Sequence, residues 1–365
     1  MTQIFDLDSP AFESWVLHFL GCVSFTTSIG PMENRTLLKL VAGAIGLAAG
    51  AQVAAKFRRD VRAARNRYAA LRRVADTRCG PIEYAMVGTG TPLLLVHGAG
   101  GGYDQALDFG LPLAGSGFCV IAMSRFGYLG TPLPDDAGPA AQADAHAALL
   151  DALDVPDAAI LGASAGAPSS LQFALRHRGR CKGLVLVVPA AYAPRRGGAA
   201  PLTTPAGTEA LFETALRFDF LYWAATRLAR KAMVRGLLAT PVDVLDQIGP
   251  EETARVDAML AHILPVSDRR LGLLNDASVC SALPRYDLEA ITAPTLVTSV
   301  ADDLFGTYDI ARYTAQHIPG ARFLGFRSGG HVWLGHHRRH LAEIAAFLRE
   351  TLTAPPRRDA SVPQP

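Results

Sequence analysis

Residues 158–176 place the tightest constraint on the fold. An apolar run, Ala158-Ala159-Ile160-Leu161, leads into Gly162-Ala163-Ser164-Ala165-Gly166, and a helix-compatible run from Pro168 to Arg176 leads out. A serine between a strand and a helix must occupy a sharp turn, which pushes its hydroxyl outward. Small neighbours are needed because the turn packs against adjacent backbone, and Gly162, Ala163, Ala165 and Gly166 meet that need. Pro168 is tolerated because it falls in the first helical turn, where the missing N–H would have no partner. Alone, the pattern also fits a plain Ala/Gly-rich loop, so the rest of the chain has to decide.

Around this segment, short apolar runs alternate with helical ones. Strands are predicted at Leu93–His97, Phe118–Met123, Ala158–Leu161, Leu184–Val188, Thr295–Val300 and Ala321–Phe326. Helices are predicted at Pro139–Leu153, Ala167–His177, Tyr308–His317 and His337–Thr351. Arg78-Cys79-Gly80-Pro81 reads as a turn between two opening strands. Fully apolar strands alternating with helices imply an α/β fold with a mostly parallel sheet covered on both faces. The alternation stops between Pro189 and Tyr286, where a Pro/Gly-rich stretch precedes helical segments rich in Leu, Ala and aromatic residues. With 365 residues, half of them hydrophobic, the chain has room for one large domain carrying such an insertion.

Two further segments bear on the chemistry. Pro92-Leu93-Leu94-Leu95-Val96-His97-Gly98-Ala99-Gly100-Gly101-Gly102 is an apolar strand running into a glycine-rich loop, and Gly329-Gly330-His331 follows the last short strand. With Ser164 between them, and a serine, acid, histidine order along the chain, the sequence resembles the α/β-hydrolase superfamily over roughly residues 74–352. The resemblance implies an α/β-hydrolase core at 74–188 and 287–352 and a helical cap at 189–286, inserted after the sixth strand, while the Pro-rich, polar composition of 353–365 predicts a disordered tail.

A serine hydroxyl is a poor nucleophile at neutral pH. It needs an adjacent base, and the base needs a third group to fix its tautomer. His331 is the expected base for Ser164. The family stretch in which a small residue precedes the acid by three resembles Val300-Ala301-Asp302-Asp303, which implies Asp303 as the acid; Asp302 stays open as the alternative, and two adjacent Asp can also simply cap a helix. The oxyanion hole requires two backbone donors. The N–H of Ala165 is one, and the loop after His97-Gly98 should supply the other from Ala99 or Gly100. In the family, the histidine at the place of His97 is structural. The loop Ser124-Arg125-Phe126-Gly127-Tyr128-Leu129-Gly130-Thr131-Pro132 departs from the usual Asp-x-Pro-Gly-x-Gly-x-Ser at Ser124 and Phe126; it is expected to line the entrance with no chemical role.

Other candidates read as bland. The glycine loop lacks the Gly-Lys-Ser/Thr ending of a phosphate-binding loop and is no dinucleotide fingerprint. Asp144 and His146 read as structural. His336, His337 and His340 look like a metal cluster, but no carboxylate or cysteine completes it and Arg338 and Arg339 would repel a cation. The five scattered cysteines form no C-x-x-C pair, and Cys119 reads as a small core residue. No cofactor or metal is expected. A net charge of +2 gives no nucleic-acid signature.

The N-terminal region, 1–56, reads differently. Residues 37–55 are nearly uncharged and about long enough to span a bilayer, and Lys56 to Arg73 holds eight Lys/Arg against Asp60. This predicts a transmembrane anchor followed by a basic juxtamembrane linker at 57–73, read as a helix on anionic lipid with a solvated linker as the alternative, and with the catalytic domain cytoplasmic. A start at Met32 with cleavage after Val53-Ala54-Ala55 would instead make an exported protein, and Ser14–Met32 could add a second span.

The expected activity is a membrane-anchored serine hydrolase acting on a small acyl substrate, a carboxylic ester first, then a lactone, thioester or amide. The dehalogenases and epoxide hydrolases of the superfamily carry Asp where Ser164 stands. An acyltransferase using the same acyl-enzyme is one alternative, and a non-catalytic binding protein of the same fold is the other.

Overall fold

The computed structural model describes residues 31–194 and 216–353. The chain divides into two units, 1–58 and 59–365. Helix α1 (Pro31–Asn66) carries all the described residues of the first unit and continues into the second. The elements that follow are β1 (Arg73–Thr77), β2 (Gly80–Val87), β3 (Thr91–Val96), α2 (Tyr103–Ala114), β4 (Phe118–Met123), α3 (Pro139–Ala152), β5 (Ala158–Ala163), α4 (Ala167–Arg176) and β6 (Cys181–Val187). Then come α5 (Asp219–Leu228), α6 (Arg230–Leu237), α7 (Val242–Leu245), α8 (Pro250–Ala261), α9 (Arg270–Ser281), β7 (Thr295–Val300), α10 (Thr307–His317), β8 (Arg322–Phe326) and α11 (His337–Thr353).

The strands form one eight-stranded sheet in the order β1-β2-β4-β3-β5-β6-β7-β8. The first two pairings are antiparallel, with Thr77 opposite Gly80 closing the opening hairpin; the rest are parallel. Strand side chains alternate between two cores. Leu94, Val96, Ile121, Ile160, Leu184 and Val297 pack on one face with Leu149, Leu171, Phe173 and Ala311 of α3, α4 and α10. Leu93, Leu95, Val120, Leu161, Val185 and Leu296 pack on the other with Leu107, Leu113, Ile344 and Leu348 of α2 and α11. A strand buried on both sides must be apolar at every position, which is why these runs are uninterrupted. Truncating Phe173, which is fully buried, to Ala would cost about 3–5 kcal/mol.

Helices α5 to α9 occupy the insertion between β6 and β7 and have their own small core of Val234, Leu238, Val244, Val256 and Leu260. Val332 and Leu334, on the C-terminal side of His331, complete that core. The insertion is therefore packed onto the histidine loop by apolar contacts. Helix α2 is not legible in the sequence, because its glycine-rich approach and internal Pro112 weaken the helical pattern.

The expected N-terminal anchor gains no support from the described residues. No helix among the described residues is long and apolar enough to cross a membrane. Residues 37–55 are helical, and the side chains of residues 31–37 and Leu40 lie outside the described residues. The expected juxtamembrane segment is helical to Asn66, and Arg65, Arg67 and Arg72 pair with Asp268, Asp104 and Glu83 within the second unit. The possible second span at 14–32, apart from its last residues, and the tail beyond residue 353 lie outside the described residues.

Candidate active site

The carboxyl ends of the parallel strands converge on one edge of the sheet. The order reverses between β3 and β5, with β4 outside β3, and such a reversal opens a crevice at strand ends. Ser164 follows β5, Asp303 follows β7 and His331 follows β8, while the glycine-rich loop follows β3.

Ser164 sits at φ 48°, a left-handed conformation that costs a non-glycine residue about 1–2 kcal/mol. The surroundings enforce it. A Cβ at Gly166 would lie 2.5 Å from the Val96 carbonyl oxygen, and one at Gly162 would lie 2.3 Å from Ser170 Oγ. The turn thus fits only if both flanking glycines stay bare. The hydroxyl it projects lies 2.9 Å from His331 Nε2, and His331 Nδ1 lies 2.8 Å from Asp303 Oδ2.

Both acidic positions are resolved by their partners. Asp303 also accepts from Thr307 Oγ1 and from the N–H of Phe305 at 2.9 Å. Burial pushes its carboxyl up, but His331, Thr307 and the Phe305 N–H more than offset this and hold it below the usual carboxylate range. An ionised carboxylate can only accept, so His331 Nδ1 carries the proton and Nε2 is free to accept from Ser164. Asp302 accepts instead from the N–H groups of Gly329 and Gly330 at 3.1 and 2.8 Å. It fixes the backbone that leads into His331. Phe305 packs edge-on against the imidazole at 4.9 Å.

The insertion reaches this site through backbone. Ala239, between α6 and α7, accepts at its carbonyl from Leu304 N–H at 3.0 Å and from His331 N–H at 3.4 Å. One carbonyl oxygen therefore bridges the acid loop and the histidine loop. Ala239 itself is fully buried at φ 40°, and Thr240 leaves no room for a side chain at Gly330.

The glycine-rich loop separates the two donors expected from it. Gly100 N–H donates to Tyr128 Oη at 3.3 Å, and Gly101 N–H donates to the Gly98 carbonyl at 3.3 Å. Gly100, the other donor expected for the oxyanion hole, thus has its N–H engaged by Tyr128 in this structure. Ala99 N–H has no acceptor among the described residues, and Ala99 is exposed beside the nucleophile turn, where a Cβ on Gly98 would meet Ser164 Cβ at 3.2 Å. His97 lies behind the loop. Its Nε2 accepts from Arg125 N–H at 3.0 Å, so Nδ1 holds the proton and donates to the Gly98 carbonyl at 2.7 Å. Burial, then the Arg125 charge, pushes it well below the ordinary histidine range, and it stays neutral.

The remaining sequence candidates are structural. Asp144 pairs with Arg176 and His177, and His146 is buried against Ser169 Oγ and Met123 Sδ at 3.0 Å each. His340 Nε2 lies 2.9 Å from Thr298 Oγ1, His336 donates to the Ser328 carbonyl, and His337 accepts from Trp333. No group of three potential metal ligands exists among the described residues.

Sequence reasoning missed a second set of residues. Arg125 and Asp276 form a buried bidentate pair at 2.7 and 2.6 Å, and Arg125 also donates to the His97 and Gly98 carbonyls. Arg269, also buried, donates to the Gly101 carbonyl at 2.6 Å and pairs with Asp104, whose carboxyl it helps hold, against burial, at about 2. The available signal was an arginine inside an otherwise apolar and glycine-rich loop, with no acid near it in sequence.

The family described as the alpha/beta hydrolase fold matches residues 91–334. The hydrolase YcgS of Bacillus subtilis is 27% identical over 283 residues, covering 74% of this chain and 94% of that protein. A 2-hydroxy-6-oxononadienedioate/2-hydroxy-6-oxononatrienedioate hydrolase of Cupriavidus pinatubonensis is 28% identical over 250 residues, covering 66% of this chain and 80% of its own. Among solved structures, an alpha/beta hydrolase fold protein from Nakamurella multipartita superposes with a TM-score of 0.62 at 27% identity, over 76% of this chain and 99% of its own. The chain belongs to the α/β-hydrolase family, and it is a hydrolase of that fold.

Proposed function

We propose that this α/β-hydrolase is a serine hydrolase that cleaves a carboxylic ester through an acyl-enzyme on Ser164. The observation that carries the reading is the unbroken chain from Ser164 Oγ through His331 to Asp303, with 2.9 and 2.8 Å contacts, at a strained turn. As Ser164 Oγ attacks the acyl carbon, its proton passes to His331 Nε2. The imidazolium that forms is stabilised by Asp303. The C–O bond to the leaving alcohol then breaks, and Nε2 returns the proton to it. Water repeats the sequence in reverse roles and releases the acid. Charge on the acyl oxygen is held by the N–H groups of Ala99 and Ala165, aimed where charge develops.

A fluorophosphonate probe tests the mechanism, because Ser164 Oγ displaces fluoride only when His331 activates it. Purified protein should label at one residue, Ser164, and hydrolyse short-chain p-nitrophenyl esters. Failure to label, with the protein folded, sinks the reading. The substrate named for the Cupriavidus relative is the next compound to try.

A further inference from the structure

We propose that Tyr128 is a positioning residue for the oxyanion hole, and that through it the cap helix α9 sets the geometry of the loop carrying Ala99. The inference rests on the serine-hydrolase reading above.

Tyr128 lies on the loop after β4 and is fully buried. Its hydroxyl lies 2.5 Å from Asp276 Oδ2 and 3.3 Å from the Gly100 nitrogen. The direction of both bonds follows from chemistry. A backbone N–H can only donate, so Tyr128 Oη accepts from Gly100. Its one hydrogen is then free for the Asp276 carboxylate. Burial, then the Asp276 charge, pushes the phenol well above its ordinary range, so it keeps that hydrogen.

Both ends are fixed. Asp276 is held bidentately by Arg125, which also donates to the carbonyls of His97 and Gly98, the two residues before Ala99. The Tyr128 ring packs edge-on to His97 at 4.7 Å and lies against Gly272, one turn before Asp276 on α9. A Cβ at Gly272 would lie 2.2 Å from the ring, so the bare glycine lets helix and ring meet. The loop is thus gripped at His97 and Gly98 by Arg125, and at Gly100 by Tyr128. Ala99 lies between the grips, with its N–H left over.

Removing the hydroxyl frees one grip and leaves the nucleophile, base and acid untouched. Tyr128→Phe should lower kcat by about tenfold, less than the loss of an oxyanion donor itself, and leave KM within about twofold. Affinity for a trifluoromethyl ketone, which forms a tetrahedral oxyanion on the serine, should fall by the same factor as kcat/KM. A purely structural role would lower the melting temperature and leave kcat and ketone affinity per labelled active site unchanged, and that result overturns the inference. Amide exchange in the wild-type protein gives a second route that needs no variant. Gly100 should be protected in the free enzyme, and Ala99 should gain protection only when the ketone binds. Protection gained at Gly100 instead of Ala99 overturns the inference. Wild-type protein that neither labels with fluorophosphonate nor binds the ketone defeats the hydrolase reading and this inference with it, whereas normal labelling with an unaffected Tyr128→Phe defeats this inference alone.

Discussion

The nucleophile turn and the cap-side loop are held by different physical means. Around Ser164, position is set by backbone: a left-handed residue wedged between glycines that meet carbonyls and Ser170. Everything needed lies within a few residues of the turn, plus the strand beside it. Around Gly98–Gly101, position is set by buried charge, with Arg125 and Asp276 separated by 151 residues and Arg269 and Asp104 by 165. Local strain survives most distant changes, because its cause travels with the turn. A buried ion pair depends on two remote segments arriving together, and loss of either partner leaves an uncompensated charge. Altering the nucleophile turn should therefore act through chemistry alone, whereas removing a buried charge beside the glycine-rich loop should cost stability as well.

The largest effect sharpens the first half. Ser164→Ala should reduce ester turnover by about 10⁴–10⁶ while leaving the melting temperature equal to or above wild type, since a strained position loses only its hydroxyl. Steady-state kinetics and a thermal melt on one preparation check both. Residual turnover within about tenfold of wild type would break the comparison at its root.

The acid loop gives the next effect. Asp303→Asn should cost about 10³–10⁴ in kcat, because the amide can donate to His331 and favour the wrong tautomer. Asp302→Asn should cost far less, since it disturbs only the acceptance from Gly329 and Gly330 N–H. Equal losses would mean that the loop works as one unit.

On the cap side, Arg125→Met should lower unfolding free energy by about 3–5 kcal/mol, read by urea denaturation. Arg125→Met combined with Asp276→Leu should recover part of that loss, because no charge is then left buried. A double variant as unstable as the sum of its parts would show that the pair is not the source of the cost.

The remaining effect is in pH and appears only below neutrality. Burial, then the charges of Arg125 and His177, pushes His146 from 6.5 to about 3. The unfolded chain binds that proton first, so the stability tied to neutral His146 is complete above pH 6.5 and is lost as pH falls toward 3, at about 1.4 kcal/mol per pH unit. His146→Gln should flatten the stability curve between pH 6 and pH 4 by about one proton. An unchanged slope in urea titrations at several pH values would show that His146 is not a source of the acid sensitivity.

Much of this architecture is legible in the order of the residues alone. The predicted strand at Thr295–Val300 coincides with β7, and Ala158–Leu161 falls within β5, because doubly buried strands must be apolar throughout. Ser164 is legible because its turn has a local cause. The choice between Asp302 and Asp303 is not, since adjacent carboxylates differ only in which way the loop turns them. Gly100 and Ala99 are likewise indistinguishable in a glycine-rich run until Tyr128 is found to occupy one of the two amides. The pairings of Arg125 with Asp276 and Arg67 with Asp104 are invisible because no spacing rule links residues brought together only by tertiary packing. The anchor expectation rests on the length and lack of charge of residues 37–55, a stretch that lies partly outside the described residues.

The Ala239 carbonyl has a consequence for engineering. Caps are attractive parts to exchange when a new specificity is wanted, and the natural cut points flank the insertion between β6 and β7. A chimaera joined there would bring a foreign surface to Leu304 and His331, whose N–H groups both require an acceptor at one spot. A transplanted cap that offers no carbonyl there would leave the acid and histidine loops free to drift apart, however well its own pocket were shaped. Donor caps are therefore best screened first for a left-handed residue that can present its oxygen where Ala239 does, and only afterwards for the side chains that greet the substrate.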